Sequence, residues 1–362
     1  VIKIMKEQRT YLCIDMKTFY ASVECAERGY NPFETNLVVA DGSRGKGALC
    51  LAISPKLKAL GVKNRCRLFE IPKGIEYEIA KPRMSKYIEY AADIYEIYLN
   101  YVAKEDIHVY SIDESFIDAT DYLKIYNLTA KEFAAKLVNE IANKKRIPST
   151  VGIGTNLYLA KAALDITAKK SKDHMGYLDE ELYRKTLWEH QPITDFWQVG
   201  KGTANRLSRY GIKDMKGVAE TPQELMYKTF GINAELLIDH AWGRESCTIA
   251  DIKNYKGKSK SISNSQILLE DYTYDKAKIV ITEMALNGCQ EMMKSHLITN
   301  HVGISVGYSK DTIQPTGGTM KMTETTNVFS IVNKYVKKLF QTTTDKKIPI
   351  RRLSIWFSDL CD

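Results

Sequence analysis

Two apolar segments that carry acidic residues constrain the fold of this chain more than any other feature. Residues 9–16 indicate a strand that ends in Asp15, and residues 107–120 indicate two short strands that meet at Asp113 and Glu114. A charge at the end of a buried strand is costly unless it is paired or binds a cation. If the tip of the second segment lies beside the end of the first, three carboxylates converge, and like charges this close favour Mg²⁺.

A structural interpretation of the same residues competes with the metal site. Aspartate is common at helix N-caps and in turns, so Asp15 could cap a helix and Asp113 with Glu114 could form a turn. The context favours chemistry, because two separated acidic strands, a following aromatic pair and downstream lysines are typical of two-metal phosphoryl transfer.

The first 170 residues alternate strands with amphipathic helices. Apolar residues step by four and three between Met84 and Val102, which predicts a helix, and Thr129 with Glu132 predicts a capping box for another. The order of these elements predicts one mixed sheet with its helices on one face. Residues 171–245 differ, because short helices punctuated by Gly and Pro follow one another without a strand signal.

The last third of the chain indicates a separate module and carries most of the excess positive charge. Residues 246–260 are polar and rich in lysine, as in a linker, and residues 261–362 follow a β-α-β-β-α-β order. The net charge is +8, and residues 246–362 hold 16 basic and 11 acidic residues against 36 and 33 in residues 1–245. This excess favours an acidic partner, with nucleic acid first and an anionic membrane second.

Composition excludes several other classes of protein. Apolar residues make up 44% of the chain and charged residues 27%, as in a globular protein and unlike a disordered one. Seven cysteines without a C-x-x-C pair argue against a disulfide framework, and six histidines without ligand spacing argue against a zinc site. The sequence shows no signal peptide and no apolar run near 18 residues, so we expect a cytoplasmic protein with no membrane partner.

Four sequence motifs carry a family resemblance. Residues 15–24 (DMKTFYASVE) and residues 111–118 (SIDESFID) resemble the two catalytic motifs of Y-family translesion DNA polymerases. Residues 150–154 (TVGIG) and residues 349–353 (PIRRL) are further matches. The likeness spans roughly residues 9–360, and the bacterial UmuC-like or DinB-like branch is the most similar.

The resemblance implies a multidomain α+β fold of the right-hand polymerase type. Its parts are a palm built of a mixed sheet plus helices, small fingers, a helical thumb and a little finger with the β-α-β-β-α-β order. The implied boundaries are residues 1–26 and 75–170 for the palm, 27–74 for the fingers, 171–245 for the thumb, 246–260 for the linker and 261–362 for the little finger.

The resemblance also implies a role for each acidic residue. Asp15 and Asp113 would hold two Mg²⁺ ions, Glu114 the ion nearer the primer 3′-OH, and the Met16 carbonyl the ion at the nucleotide. These ions would lower the pKa of the 3′-OH and neutralise the leaving pyrophosphate. Lys17 departs from the family pattern, in which an acidic or amide residue is common, and lysine cannot ligate a metal.

The same motifs imply contacts with the incoming nucleotide. Tyr20 matches the steric gate, an aromatic ring that occupies the space of a ribose 2′-OH, although a core aromatic is the alternative. Lys58 and Lys169 match basic residues that grip the triphosphate. The family often has Tyr or Asn where this chain has Ser54-Pro55, so one contact is lost or is replaced by the Ser54 hydroxyl. The implied nucleotide-binding residues are Phe19, Tyr20, Ser54, Lys58 and Lys169.

Three regions are candidates for binding DNA. Residues 199–207 (VGKGTANRL) resemble a helix-hairpin-helix, whose glycines let backbone N–H groups approach a phosphate, although a tight turn is the alternative. Residues 231–233 are a weaker second copy. The linker lysines could bind the duplex or merely solubilise the chain, and two arginines match strand residues that face the template backbone. The candidates are Gly200, Lys201, Gly202, Arg206, Lys256, Lys258, Lys260, Arg351 and Arg352.

The resulting hypothesis is an error-prone, template-directed DNA polymerase for translesion synthesis in a bacterial cytoplasm. A nucleotide cyclase is disfavoured because a GGDEF-type loop is absent, and a catalytically degenerate DNA-binding subunit is disfavoured by the three intact carboxylates. The expected partners are primer-template DNA and deoxynucleoside triphosphates, and we expect a monomer. Members of the family commonly carry a segment for the replication sliding clamp after the little finger, so the resemblance implies the clamp as a candidate further partner, through a segment that is not evident in this chain.

Overall fold

The chain consists of two compact units. A computed structural model describes residues 9–257, 260–309 and 313–362. The units are Val1–Asn254 and Tyr255–Asp362, so their boundary lies within the predicted linker. The first part of that predicted linker is not extended chain, because it forms a short helix of the first unit.

The first unit contains a five-stranded sheet and a three-stranded sheet. Its strands are β1 (Tyr11–Met16), β2 (Leu37–Val39), β3 (Ala52–Ile53), β4 (Glu78–Ala80), β5 (Ile107–Val109), β6 (Glu114–Asp118), β7 (Ser149–Gly154) and β8 (Met175–Leu178). The larger sheet has the order β5-β6-β1-β7-β8 and is antiparallel except between β7 and β8. The smaller sheet has the order β3-β2-β4.

Twelve α-helices surround these sheets among the described residues of the first unit. They are α1 (Phe19–Glu27), α2 (Pro55–Ala59), α3 (Met84–Leu99), α4 (Thr120–Tyr126), α5 (Ala130–Lys145), α6 (Leu157–Ala162), α7 (Glu180–Thr186), α8 (Lys201–Ser208), α9 (Met215–Glu220), α10 (Gln223–Phe230), α11 (Asn233–Ala241) and α12 (Ile249–Asn254). The capping box predicted for α5 is present, since the Glu132 N–H donates to Thr129 Oγ1 at 3.2 Å and the Thr129 N–H donates to Glu132 Oε2 at 2.8 Å.

Helices cover both faces of the larger sheet, so the prediction of helices on one face is wrong. Alternate residues of β1 point to opposite faces. Leu12 and Ile14 pack in a core with α1, α3 and α5, whereas Cys13 packs in a separate cluster with α6. A Cβ on Gly152 of β7 would lie 2.0 Å from the Ala160 carbonyl oxygen, so the bare glycine backbone lets α6 pack directly against the sheet.

The stretch after α6 also differs from the prediction. The predicted helix 157–169 continues as a π-helical turn (Ala163–Thr167) and a 3₁₀ turn (Ala168–Lys170). Strand β8 then forms within the stretch that has no strand signal, and it pairs in parallel with β7. Gly176 at its centre packs against this turn, where a Cβ would lie 2.6 Å from the Ala163 carbonyl oxygen.

The second unit confirms the predicted β-α-β-β-α-β order. Its elements are β9 (Ile262–Tyr272), α13 (Tyr274–Lys294), β10 (Thr299–Tyr308), β11 (Thr316–Thr326), α14 (Phe329–Thr343) and β12 (Ile350–Ser358). The antiparallel sheet has the order β11-β10-β12-β9. Both helices share one core with the inward residues of the sheet, for example Ile281, Val336 and Phe357.

Membrane-spanning helices are absent from the described residues. Among residues 9–257, 260–309 and 313–362, no helix is long and apolar enough to cross a bilayer.

Candidate active site

The three predicted carboxylates meet at one edge of the larger sheet. Strand β1 lies between β6 and β7, and the register pairs Asp15 with Glu114 on one side and with Thr150 on the other. The N–H of Met16 donates to the carbonyl of Asp113 at 2.9 Å, which joins the end of β1 to the turn before β6. The sheet register thus produces the convergence that the sequence predicts.

Asp15 is electrostatically strained at this edge. Burial raises the pKa of Asp15, and the negative charges of Asp113 and Glu114 raise it further, to about 7, although Lys161 opposes the shift. A carboxyl group with this pKa holds a proton near neutral pH unless a cation replaces it. The site therefore has a local excess of negative charge.

Glu114 is neutralised from within the protein. Its Oε2 accepts a hydrogen bond from Lys161 Nζ at 2.8 Å, and its Oε1 accepts one from the Cys13 thiol at 3.2 Å. Lys161 Nζ also lies 3.2 Å from Asp165 Oδ2. Burial alone would lower the pKa of Lys161, but neighbouring acidic groups, Glu114 and Asp165 among them, outweigh burial and raise it. The ammonium group is therefore a permanent cation beside the carboxylates.

The donor chemistry at this edge suits Mg²⁺, although the ligands are not grouped in advance. Carboxylate oxygens are the ligands that Mg²⁺ prefers, and the repulsion at Asp15 is what a bound cation would relieve. Among the described residues, no three His, Cys, Asp or Glu side chains are arranged to hold a metal ion. Of the three carboxylates, Glu114 already contacts an ammonium group, that of Lys161.

Tyr20 lies near Asp113, whereas Phe19 is buried in the core. Burial and the charge of Asp113 raise the pKa of Tyr20, which places its phenol near that carboxylate. The ring of Tyr20 stacks on the ring of Tyr87, with centroids 4.4 Å apart and an interplanar angle of 14°. Phe19 is buried in the core under α1, which argues against a contact of its side chain with a nucleotide.

Ser54 has a structural role instead of the predicted nucleotide contact. It is fully buried, and its Oγ accepts hydrogen bonds from the N–H groups of Leu57 at 3.3 Å and Leu37 at 3.2 Å. The hydroxyl caps α2 and joins it to β2, and its burial argues against a contact with a nucleotide. Ser followed by Pro55 at the first helical position is a helix N-cap signature, and the sequence carries that signal.

The predicted triphosphate lysines are exposed and lie on different elements. Lys58 lies on α2, and burial together with the charge of Lys58 lowers the pKa of Lys17, so the two ammonium groups are neighbours. Lys169 lies in the 3₁₀ turn after α6, with its Nζ 3.8 Å from Asp165 Oδ1. Both lysines are free to contact an anionic ligand because neither side chain is buried.

The helix-hairpin-helix residues lie at the start of α8. Gly200 is its N-cap, and a Cβ on Gly200 or Gly202 would meet nothing within 4 Å, so an external group can approach the backbone. Lys201 is exposed. Arg206 is engaged within the unit, since its guanidinium lies 4.6 Å from the ring centroid of Phe230.

The basic candidates of the second unit differ in availability. Lys256 and Lys260 are exposed, and Lys260 Nζ lies 3.4 Å from Asp362 Oδ1, whereas Lys258 lies outside the described residues. The ladder register of β12 shifts between Ile350 and Arg352.

Because of this register shift, Arg351 and Arg352 have different surroundings. Arg351 lies at the irregularity, and its Nη1 is 3.7 Å from Asp271 Oδ1. Arg352 is exposed on the sheet. Of the two arginines, Arg352 is therefore the more accessible.

Several residues at the site were missed by the sequence analysis. Lys161 and Asp165 are four residues apart on one helical surface, a spacing that predicts an ion pair but not its position. The sequence around Cys13 and Tyr87 predicts only that these side chains are buried, and not that they lie at the site. All of them become visible only when α6 and α3 are placed against the sheet.

Comparison with a solved structure defines the class of fold. The Y-family DNA polymerase chimera Dbh-Dpo4(243-245)-Dbh is similar with a TM-score of 0.75 and 20% sequence identity, over 97% of this chain and 99% of that one. The predicted right-hand polymerase fold is thereby confirmed.

Sequence comparison gives the family. Residues 14–165 match the impB/mucB/samB family, and residues 259–362 match the C-terminal domain of that family. The chain therefore belongs to the impB/mucB/samB family, the Y-family that its two motifs predict.

Two relatives from Bacillus subtilis (strain 168) show how far the similarity extends. DNA polymerase IV 2 is 34% identical over 364 residues, which cover 99% of this chain and 85% of the relative. UvrX, named for UV-damage repair, is 35% identical over 310 residues, which cover 84% of this chain and 72% of the relative. The first of these alignments includes both units.

Proposed function

We propose that this chain is a DNA-directed DNA polymerase that extends primers across damaged template bases with low fidelity. The observation that carries the proposal is the convergence of Asp15, Asp113 and Glu114 at one sheet edge beside the Tyr20 ring. The printed names of the relatives, which describe a DNA polymerase and UV-damage repair, support the same activity.

Each acidic residue has a distinct task in this proposal. Asp15 and Asp113 would hold two Mg²⁺ ions, with the Met16 carbonyl as a further ligand, and Glu114 would join them after leaving Lys161. When bound, the ions activate the primer 3′-OH and balance the charge of the triphosphate. Lys161 keeps Glu114 neutralised until then, because its ammonium group already contacts that carboxylate.

The remaining assignments concern substrate binding. Tyr20 would exclude ribonucleotides, and Lys58 and Lys169 would contact the triphosphate of the deoxynucleotide. Within the first unit, we assign residues 1–26 and 75–170 to the palm, 27–74 to the fingers and 171–245 to the thumb. The second unit would serve as the little finger and would hold the duplex through its basic residues.

Primer extension tests the activity directly. Asp113→Ala and Glu114→Ala are each expected to reduce extension on undamaged and damaged templates by at least about 10³-fold, because transition-state charge is no longer compensated. Binding of primer-template, measured by fluorescence anisotropy, should be unchanged. Glu105→Ala removes an exposed carboxylate elsewhere in the unit and serves as the matched control.

Either acidic variant extending primers at the wild-type rate would contradict the proposed site. Tyr20→Ala tests the sugar assignment separately, since it is expected to admit ribonucleotides while retaining extension with deoxynucleotides. Unchanged sugar discrimination in Tyr20→Ala would remove the steric gate from the proposal.

A further inference from the structure

Glu24 is a buried carboxylate that the proposed chemistry does not use. It lies on α1, four residues after Tyr20 and therefore about one helical turn away. Its exposed fraction is 0%, although an ionised side chain is rarely buried without partners. The question is what this carboxylate holds in place.

Three side chains donate to Glu24. Its Oε1 accepts hydrogen bonds from the Tyr87 hydroxyl at 2.8 Å and from Arg83 Nε at 3.0 Å, and its Oε2 accepts one from Arg83 Nη2 at 2.8 Å. Arg28 Nη1 also contacts Oε2. Burial opposes ionisation, but the hydrogen bonds from Arg83, Arg28 and Tyr87 outweigh it and lower the pKa of Glu24. The carboxylate is ionised and joins the end of α1 to the start of α3.

Tyr87 transmits this anchoring to Tyr20. Its side chain is fully buried, so the hydroxyl bond to Glu24 fixes the position of the ring. The ring of Tyr87 in turn stacks on the ring of Tyr20, with centroids 4.4 Å apart and an interplanar angle of 14°. Phe19 contacts the Tyr20 ring in a tilted arrangement at 5.9 Å, which leaves the stack on Tyr87 as the contact that sets the ring plane.

We propose that Glu24 is a positioning residue for sugar selection, acting through the Tyr87 hydroxyl and the Tyr87–Tyr20 stack. The inference rests on the proposed function, in which the Tyr20 ring excludes a ribose 2′-OH. A ring that excludes one hydroxyl group must be held to within a fraction of an ångström, and Tyr20 alone on a helix surface has two rotatable side-chain bonds. Glu24 and Tyr87 remove that freedom.

The chain offers a matched control on the same two helices. The Tyr90 hydroxyl donates to Glu27 Oε1 at 2.8 Å, the same donor and acceptor types three residues further along α1 and α3. Lys145 lies over the Tyr90 ring at 4.8 Å, in place of a tyrosine stack. Tyr90→Phe therefore removes a tyrosine–glutamate hydrogen bond of the same type and length, in a more exposed position, without touching the Tyr20 ring.

The test compares deoxynucleotide and ribonucleotide incorporation by Glu24→Gln, Tyr87→Leu, Tyr87→Phe and Tyr90→Phe. The measured quantity is kcat/KM for a deoxynucleotide divided by kcat/KM for the matching ribonucleotide. We expect this ratio to fall by about tenfold in Glu24→Gln and Tyr87→Leu, and by about threefold in Tyr87→Phe, which keeps the stack. Tyr90→Phe should keep the wild-type ratio.

A purely structural role would give a different result. Glu24→Gln and Tyr87→Leu would then lower incorporation of both nucleotides equally and leave the ratio within twofold of wild type, which would overturn the proposal. Thermal unfolding of each variant separates loss of folded protein from loss of selectivity.

A measurement independent of activity completes the test. Fluorotyrosine at position 20 reports the ring environment by ¹⁹F NMR, and we expect its resonance to shift or broaden in Glu24→Gln and Tyr87→Leu but not in Tyr90→Phe. An unchanged resonance would contradict the proposal. If the wild-type chain failed to extend primers, the proposed function would be wrong, and the fluorine spectra alone would decide the positioning claim.

Discussion

Two carboxylates at either end of residues 15–24, half-buried Asp15 and fully buried Glu24, have opposite electrostatic environments. Glu24 accepts hydrogen bonds from Arg83, Arg28 and Tyr87, and its pKa is lowered. Asp15 lies among other carboxylates, and burial with their charges raises its pKa to about 7. Glu24 is fully buried and Asp15 is half-buried, so the opposite directions of the two pKa shifts come from their partners.

This comparison separates a carboxylate that is paired with cations from one whose neighbours are mostly carboxylates. A buried carboxylate with a full set of hydrogen-bond donors holds two structural elements together. A carboxylate among like charges instead favours binding of a proton or a cation. Glu114 is intermediate, because it lies beside other carboxylates but accepts hydrogen bonds from Lys161 and Cys13.

Removing the paired carboxylate should have the largest effect on stability. Glu24→Ala is expected to lower the free energy of unfolding by about 3–5 kcal/mol, because it leaves two arginines and the Tyr87 hydroxyl without their acceptor. Urea denaturation of the whole chain measures this effect. Glu27→Ala, which removes a less buried carboxylate from the same helix, should cost much less, and equal losses in the two variants would contradict the comparison.

Neutralising Asp15 should increase the free energy of unfolding, unlike the loss expected for Glu24→Ala, and the increase should depend on pH. Because its folded-state pKa lies near 7 and its ordinary value near 3.8, the stability that its protonated form contributes is complete below pH 3.8 and is lost as pH rises to about 7. The full shift corresponds to about 4 kcal/mol as an upper value. Asp15→Asn should therefore be more stable than wild type above pH 7 in the presence of a chelator.

The difference between Asp15→Asn and wild type is the quantity to follow. It should increase between about pH 4 and pH 7 and then stay constant, and added Mg²⁺ at pH 8 should reduce it by stabilising the wild type. A difference that does not change with pH would show that the folded-state pKa of Asp15 is ordinary.

Lys161 allows a third, smaller test of the comparison. Lys161→Met keeps the apolar length of the side chain but leaves Glu114 without its cation and Asp165 with only the exposed Lys169, so we expect a loss of about 1.5–3 kcal/mol in chelator. Added Mg²⁺ should restore part of this loss. Lys169→Met serves as the control, because exposed Lys169 lies 3.8 Å from the same Asp165, and such pairs contribute little.

The smallest expected effect concerns the second unit, where charges are exposed rather than buried. Arg352→Ala should weaken primer-template binding by a factor of a few and reduce the slope of log K against log salt by about 0.9. Lys338→Ala, on the helical side of the same unit, should leave the slope unchanged. Identical slopes for Arg352→Ala and wild type would exclude a phosphate contact at Arg352.

The sequence predicts the regular parts of the fold well because they depend on local patterns. The Thr129–Glu132 capping box and the element order after residue 261 follow from spacing that the chain itself displays. The second face of the larger sheet was not predictable in this way. The packing of that face depends on Gly152 and Gly154 and on how closely α6 approaches them. In the sequence, the two glycines are only residues with a low preference for strands.

The candidate site shows the same division. Asp15, Asp113 and Glu114 were predictable because charges interrupt apolar strands, and strand register then brings them together. Lys161 and Tyr87 were not, because their significance comes from contacts more than 40 residues away in the chain, with Glu114 and Tyr20.

The two glycines of β7 determine how closely α6 approaches the sheet, and therefore how close Lys161 lies to Glu114. A methyl group on Gly152 would collide with the backbone of α6 at Ala160, and one on Gly154 would lie 2.1 Å from the Ala160 nitrogen. Gly152→Ala would therefore push the helix outward and carry the neighbouring Lys161 ammonium away from Glu114. The electrostatics of the three-carboxylate cluster therefore depend on two glycines that carry no side chain, on a strand that contributes no carboxylate to it.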